Sequence, residues 1–162
     1  MAIATIALEQ GKPAEAEALI RAAAPQFQQE TMATDAGKAS ALLARVLLAQ
    51  SKIVDAEAAA GNASALTEHT SDRSTHLIAT LVAAEVNAGN GKDSAASKAL
   101  ESVLSESVRD GYKQYEFEAR LDLGRLELRS SRAAGRQRLE KLKEDASKSD
   151  FRLVARKASA EP

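Results

Sequence analysis

Four residue pairs, Gly11-Lys12, Ser51-Lys52, Gly91-Lys92 and Ser131-Arg132, stand 40 residues apart along the chain without drift. A fixed period of that length marks a repeat architecture, and it constrains this fold more than any other feature. Each pair separates two stretches of helical periodicity. A small residue tolerates the left-handed turn that ends a helix, and a base beside it complements the negative end of the helix dipole.

The columns around the turn are physically consistent. Seven residues before it stand Ala4, Ala44, Ala84 and Gly124, all small. Flanking them are Ile3, Leu43, Ala83 and Leu123 on one side, and Ile6, Val46, Val86 and Leu126 two positions beyond. Five residues past the turn come Ala16, Ala56 and Ala96, with Arg136 breaking the column; eight past it come Leu19, Ala59, Ala99 and Leu139. Small residues in both helices let two backbones approach closely, and the flanking apolar positions form the stripe that faces a neighbour.

Composition agrees. Of 162 residues, 44% are hydrophobic but only 3% aromatic, so Ala, the best helix former, carries much of the apolar content. A β-sandwich would need β-branched and aromatic residues instead. The pattern predicts an all-α chain with helices at 2–10, 13–29, 34–50, 53–68, 72–89, 93–109, 113–130, 132–147 and 151–159. These make a single domain over 1–162, with repeats at 1–30, 34–69, 72–109 and 113–148. Pro13 suits a helix start, Ser71 or Asp72 and Asp93 suit N-caps, and Pro25 should kink or end the second helix. The segment 151–159 should cap the array, with Phe151, Leu153 and Val154 inward and its bases in water. The register decays at Arg136, where the array is expected to end.

The spacing resembles the tetratricopeptide repeat, which has a small residue in its first helix, a small or polar turn residue seven positions later, and Ala five positions beyond. Ala44–Ser51–Ala56 and Ala84–Gly91–Ala96 match, and Gly124–Ser131 matches until Arg136. The period is 40 rather than about 34, and the family's bulky aromatic positions hold small or aliphatic residues here. The resemblance implies an α-solenoid of about four antiparallel helix pairs with a C-terminal capping helix. It is similar to repeat regions attached to bacterial signalling kinases and regulators. In such arrays the position after the small column, here Thr5, Arg45, Glu85 and Arg125, lines the concave face. By that resemblance Lys38, Arg45, Leu81, Glu85, Leu121, Arg125 and Arg129 would line a peptide-binding groove. A ladder of Arg45, Glu85 and Arg125 between neighbouring helices accounts for the same residues, and the two uses are compatible. Bidentate arginine contacts make an acidic peptide the first ligand to expect.

Nothing else in the chain assembles a catalytic constellation. His69 and His76, with Glu68 or Asp72, are separated by seven residues across a junction, not by the spacing that places two ligands on one helix face. No Gly-x-Ser-x-Gly elbow accompanies the serines. Gly89-Asn90-Gly91-Lys92-Asp93 lacks Walker spacing and falls at a repeat turn. The carboxylate pairs Glu15/Glu17 and Asp122/Glu127 lie on highly charged helices and read as solvated faces. Tyr112, Tyr115 and Phe117 plug a gap between helices or, alternatively, anchor a partner. From Arg129 onward Lys and Arg outnumber Asp and Glu ten to five, without the aromatic platform that stacks bases. The net charge of −1 gives no nucleic-acid footprint, the absence of Cys fits a reducing cytoplasm, and no apolar run approaches a membrane span.

The expectation is therefore a non-catalytic protein- or peptide-binding scaffold, without cofactor or metal, the interaction or regulatory region of a larger bacterial signalling protein. The first helix has about ten residues where its equivalents have about seventeen. That leaves a face uncovered, which implies either a longer array or homo-oligomerisation, such as a homodimer through the N-terminal repeat.

Overall fold

The computed structural model describes residues 1–27 and 33–161. Among the described residues the chain is all helical: α1 (Ala2–Glu9), α2 (Pro13–Phe27), α3 (Ala33–Ala49), α4 (Ile53–Thr67), α5 (Arg73–Gly89), α6 (Asp93–Asp110), α7 (Lys113–Ser130), α8 (Arg132–Lys148) and α9 (Arg152–Ala160). The ends fall within two residues of the predicted ones, apart from 28 and 29, which lie outside the described residues. Pro25 sits inside α2, which continues to Phe27. Two compact units result, Met1–Lys92 and Asp93–Pro162, with a boundary at the third turn that the repeat pattern alone does not draw.

In the first unit α1 packs on α2, α2 on α3, α3 on both α4 and α5, and α4 on α5. The small columns are what pack. Ala4, Ala7, Ala16, Ile20 and Val46 form one buried cluster. Ala41, Ala44, Leu47, Ala56, Ala59, Ala60, Ala63, Ala79, Val82 and Val86 form another. The buried positions of α4 follow i, i+3, i+4, i+7, one face of a helix, so its inward stripe is built from alanine alone until Thr67. Alanine loses no rotamer entropy on burial, which offsets the modest area each residue removes from water.

The turns are alike in detail. Gly11, Ser51 and Gly91 all take positive φ, at 72°, 60° and 73°. Lys12, Lys52 and Lys92 then donate their N–H groups back to the carbonyls of Ala7, Leu47 and Asn87 at 2.8–2.9 Å. The residues before them donate to Leu8, Leu48 and Ala88 at 2.9–3.2 Å, completing a Schellman cap each time. Glycine takes this conformation freely; Ser51 takes it against the preference of its own Cβ.

In the second unit α6 packs on α7, α7 on α8, and α9 on both α7 and α8. Its core is made of larger side chains: Phe117, Leu121, Leu139, Leu142, Ala146, Val154, Ala155 and Ala158, with Leu128 and Phe151 against them. Phe117 meets Phe151 edge to face, with ring centroids 5.1 Å apart. Of the aromatic cluster, Phe117 is thus core, while Tyr112 and Tyr115 lie half-buried, 6.2 Å apart. In α9 it is Ala155 and Ala158 that join Val154 inside, whereas Leu153 is 41% exposed. A helix starting at Arg152 places residues 154, 155 and 158 on one face and turns 153 outward.

The fourth turn departs from the other three. Ser131 is extended (φ −148°) and is at once the last residue of one cap and the first of the next, so a single residue joins α7 to α8. The consequence runs on. The buried residues of α6 are Ala96, Leu100, Val103 and Ser107; those of α8 are Gly135, Leu139, Leu142 and Ala146, each 39 rather than 40 residues further on. The cap after α6 is at Gly111 (φ 80°) and the one after α8 at Asp150 (φ 62°), again 39 apart. Tyr112 donates to the Ser107 carbonyl at 2.9 Å, and Phe151 to the Ala146 carbonyl at 2.8 Å, in the same Schellman geometry. The register therefore does not decay at Arg136; it steps by one residue at Ser131. Arg136 is exposed and Gly135 takes the inward place. A Cβ on Gly135 would lie 2.6 Å from the Leu128 backbone nitrogen and 2.9 Å from the Gly124 carbonyl oxygen, so the two helices touch backbone to backbone there.

Candidate functional site

Of the seven predicted groove positions, Lys38, Arg45, Leu81 and Glu85 lie in the first unit and Leu121, Arg125 and Arg129 in the second. The two leucines are buried, and Leu121 belongs to the Phe117 cluster, so neither presents a side chain to a ligand. The repeat resemblance implied a groove position for both, but the buried stripe of each helix here extends over them.

The five charged residues are all engaged. Arg45 on α3 grips the Glu85 carboxylate on α5 in a two-pronged pair, with Nε 2.8 Å from Oε2 and Nη2 on Oε1. The side chains are 24% and 16% exposed, so this pair lies at the edge of the solvent. It is the first rung of the expected ladder. Arg125 instead pairs within its own unit, with Asp122 at 3.0 Å and with Glu161 beyond α9 at 2.6 Å. Burial works against its charge, but these two carboxylates outweigh it and hold the guanidinium protonated. Arg129 reaches Asp93 at 2.8 Å, and Lys38 reaches Asp72 at 3.0 Å.

Asp72 is the predicted N-cap of α5, and it does more than cap. Its Oδ1 accepts from the backbone and hydroxyl of Ser74, and its Oδ2 from Thr75 Oγ1 at 2.6 Å and from Lys38 Nζ. The hydroxyl of Thr75, then that of Ser74, then Lys38 stabilise its anionic form and hold its pKa well below the carboxylate range. Asp93 is the first residue of α6 rather than a cap, with its charge in the first turn where the dipole favours it. His69 and His76 are exposed. Among the described residues no three His, Cys, Asp or Glu side chains gather as a metal would need. Among the same residues no helix is long and apolar enough to cross a membrane.

A second polar arrangement recurs in the first unit and was not anticipated. Glu17 on α2 accepts from Gln50 Nε2 at 2.8 Å and Lys52 Nζ at 2.9 Å, the two side chains flanking the turn after α3. Glu57 on α4 accepts from Asn90 Nδ2 and Lys92 Nζ, both at 2.7 Å, at the turn after α5. A glutamate on one helix thus clasps the turn at the end of the helix packed beside it, twice, 40 residues apart. Lys52, Gln50 and Arg21, in that order, lower the pKa of Glu17 to about 2, and Lys92 leads the lowering at Glu57. The signal was in the sequence as Glu17/Glu57, Gln50/Asn90 and Lys52/Lys92 in one register, but charged residues on a helix surface carry no partner label until the packing is known.

No family model matches this chain, and no match was found among curated proteins or solved structures.

Proposed function

We propose that the chain is a non-catalytic, tetratricopeptide-like interaction scaffold that captures an acidic peptide, and that it serves as the interaction or regulatory region of a larger bacterial signalling protein in the cytoplasm. The observation that carries this reading is the Arg45–Glu85 pair. A guanidinium on α3 already holds a carboxylate in bidentate geometry at a part-exposed edge, one repeat period away in sequence. A peptide carboxylate that replaces Glu85 meets the same fork of donors, and guanidinium recognition of carboxylates is strong because both N–H bonds are charge-assisted. The solenoid arrangement implied by the repeat register supplies the extended surface that such a peptide needs.

The test is fluorescence anisotropy with a labelled Asp/Glu-rich peptide panel. Glu85→Gln, which weakens the internal competitor, should tighten binding, and Arg45→Glu should weaken it about tenfold or more, with a steep loss as salt rises. Unchanged affinity in Arg45→Glu removes the proposed site.

A further inference from the structure

Arg45 on α3 and Arg125 on α7 stand in the same column of the repeat, and each holds a glutamate. The two contacts differ in kind. Glu85 comes from the body of α5, and Arg45 grips both of its oxygens through Nε and Nη2. Glu161 follows the end of α9 on extended backbone (φ −75°, ψ 139°), and Arg125 Nε reaches only its Oε1, at 2.6 Å. Arg125 Nη1 donates to Asp122 at 3.0 Å, and among the described residues Nη2 has no acceptor. The fork that closes on a carboxylate at Arg45 is therefore half used at Arg125. Glu161 is also held by little besides this bond. The last buried residue of α9 is Ala158, and Ser159 and Ala160 are exposed. Pro162 comes next in the sequence, and the residue before a proline is kept out of the helical conformation. The Arg125 side chain is 41% exposed, which leaves the guanidinium within reach of an incoming group.

We propose that Arg125 is a second carboxylate-recognition site, for an extended acidic segment of a partner polypeptide, and that Glu161 is an internal ligand which such a segment displaces. The site lies in the second unit and is independent of Arg45. A carboxylate arriving on Nε and Nη2 makes two charge-assisted bonds where Glu161 makes one, while Asp122 keeps its place on Nη1. The seated residue defines the ligand chemistry: a carboxylate on backbone that has left the helix, ahead of a proline. A second copy of the chain has no such group to spare. Its own Glu161 would vacate one Arg125 to fill another, with no gain in contacts. Among the described residues its other carboxylate on extended backbone is that of Asp72, already taken by Ser74, Thr75 and Lys38. The remaining described Asp and Glu lie within helices, apart from Glu68 and Asp150 at helix ends, one right-handed and one left-handed. The tethered glutamate acts at high local concentration, so it sets a threshold that a segment passes by using both prongs.

The probe is a labelled synthetic peptide of three Ala-Glu-Pro units, the sequence of residues 160–162 repeated, titrated into the whole chain carrying Arg45→Glu to silence the first unit's site. It should bind saturably. Adding Glu161→Gln, which withdraws the internal competitor, should tighten binding by about threefold to tenfold. Arg125→Gln should weaken it about tenfold or more, and Arg125→Lys, which keeps the charge beside Asp122 but loses the fork, about fivefold. Arg152→Gln, at the 87% exposed start of α9, should change it less than about twofold. In the NMR spectrum the Arg125 Nε–H signal should move in Glu161→Gln and move again, saturably, as peptide is added. Circular dichroism checks that each variant is folded, and Arg125→Lys carries the test if Arg125→Gln unfolds. Equal peptide affinity with and without Glu161→Gln overturns the proposal, as does affinity unaffected by Arg125→Lys, or no binding. Light scattering that shows a dimer lost in Arg125→Lys also overturns it, by giving the site to a second copy. Because Arg45 is already replaced, failure here and failure of the acidic-peptide site in the first unit are read separately.

Discussion

Ser51 and Ser131 are the same residue in the same register, each with a base after it, yet the chain leaves them differently. Ser51 turns left-handed and hands over to α4 through a Schellman cap; Ser131 stays extended and α8 begins at the next residue. The turn residue therefore does not choose the turn; the helix after it does. Five residues after Ser51 stands Ala56, which vanishes into the core, whereas five after Ser131 stands Arg136. Burying a guanidinium there without a partner would cost several kcal/mol, while Gly135, one residue earlier, allows the closest approach the backbone permits. Shortening the junction by one residue brings Gly135 inward and Arg136 out, and every buried position of α8 moves with it.

The sharpest way to break this comparison is to make the two sites alike. Ala56→Arg places in α4 what the sequence already carries in α8, but without the compensating slip. It should cost about 3–5 kcal/mol by urea denaturation of the whole chain. Arg136→Ala should stay within about 0.5 kcal/mol of the parent. A smaller loss than that of Ala56→Arg is expected from Gly135→Ala, where the new Cβ would meet backbone atoms of α7. Helix propensity favours alanine by about 1 kcal/mol, but overpacking against backbone should outweigh it and leave the protein about 1–3 kcal/mol less stable.

The turns sharpen it further. Ser51→Gly relieves a left-handed serine and should gain about 0.5–1 kcal/mol in thermal unfolding, whereas Ser131→Gly relieves nothing and should lose a similar amount through added freedom of the unfolded chain. The smallest effect is electrostatic. Glu17, clasped by Lys52 and Gln50, has its pKa lowered to about 2 from 4.5. A carboxylate whose folded pKa lies below its unfolded one stabilises fully above the unfolded value. That contribution fades as pH falls from about 4.5 towards about 2. The stability difference between the parent and Glu17→Gln should be below about 1 kcal/mol at pH 7, since water screens the pair, and should shrink over that window. A difference that grows on acidification contradicts the clasp.

The helices were legible because nine stretches of 3.6-residue periodicity are punctuated by small turn residues, and Ala44, Ala56 and Ala84 do pack where small residues should. The slip at Ser131 was visible only as a defect: Arg136 looked like the end of a pattern, because a column compared at a fixed spacing cannot show a one-residue step. Leu81 and Leu121 were placed on a ligand-facing surface by position alone, and burial decided otherwise. Leu153 was read as a core residue for its chemistry, but the starting residue of α9 turns it to solvent. The glutamate clasps were unreadable for another reason. Glu17 and Lys52 are 35 residues apart in sequence, and only the packing of α2 on α3 brings them together.

Amide hydrogen exchange by NMR tests the central claim, one register built with two kinds of junction. The N–H groups of Lys12, Lys52 and Lys92 close Schellman caps and should exchange slowly, while that of Arg132, the first residue of α8, should exchange orders of magnitude faster. Comparable protection at all four would mean that the fourth turn is capped like the others, and the one-residue step at Ser131 would be wrong.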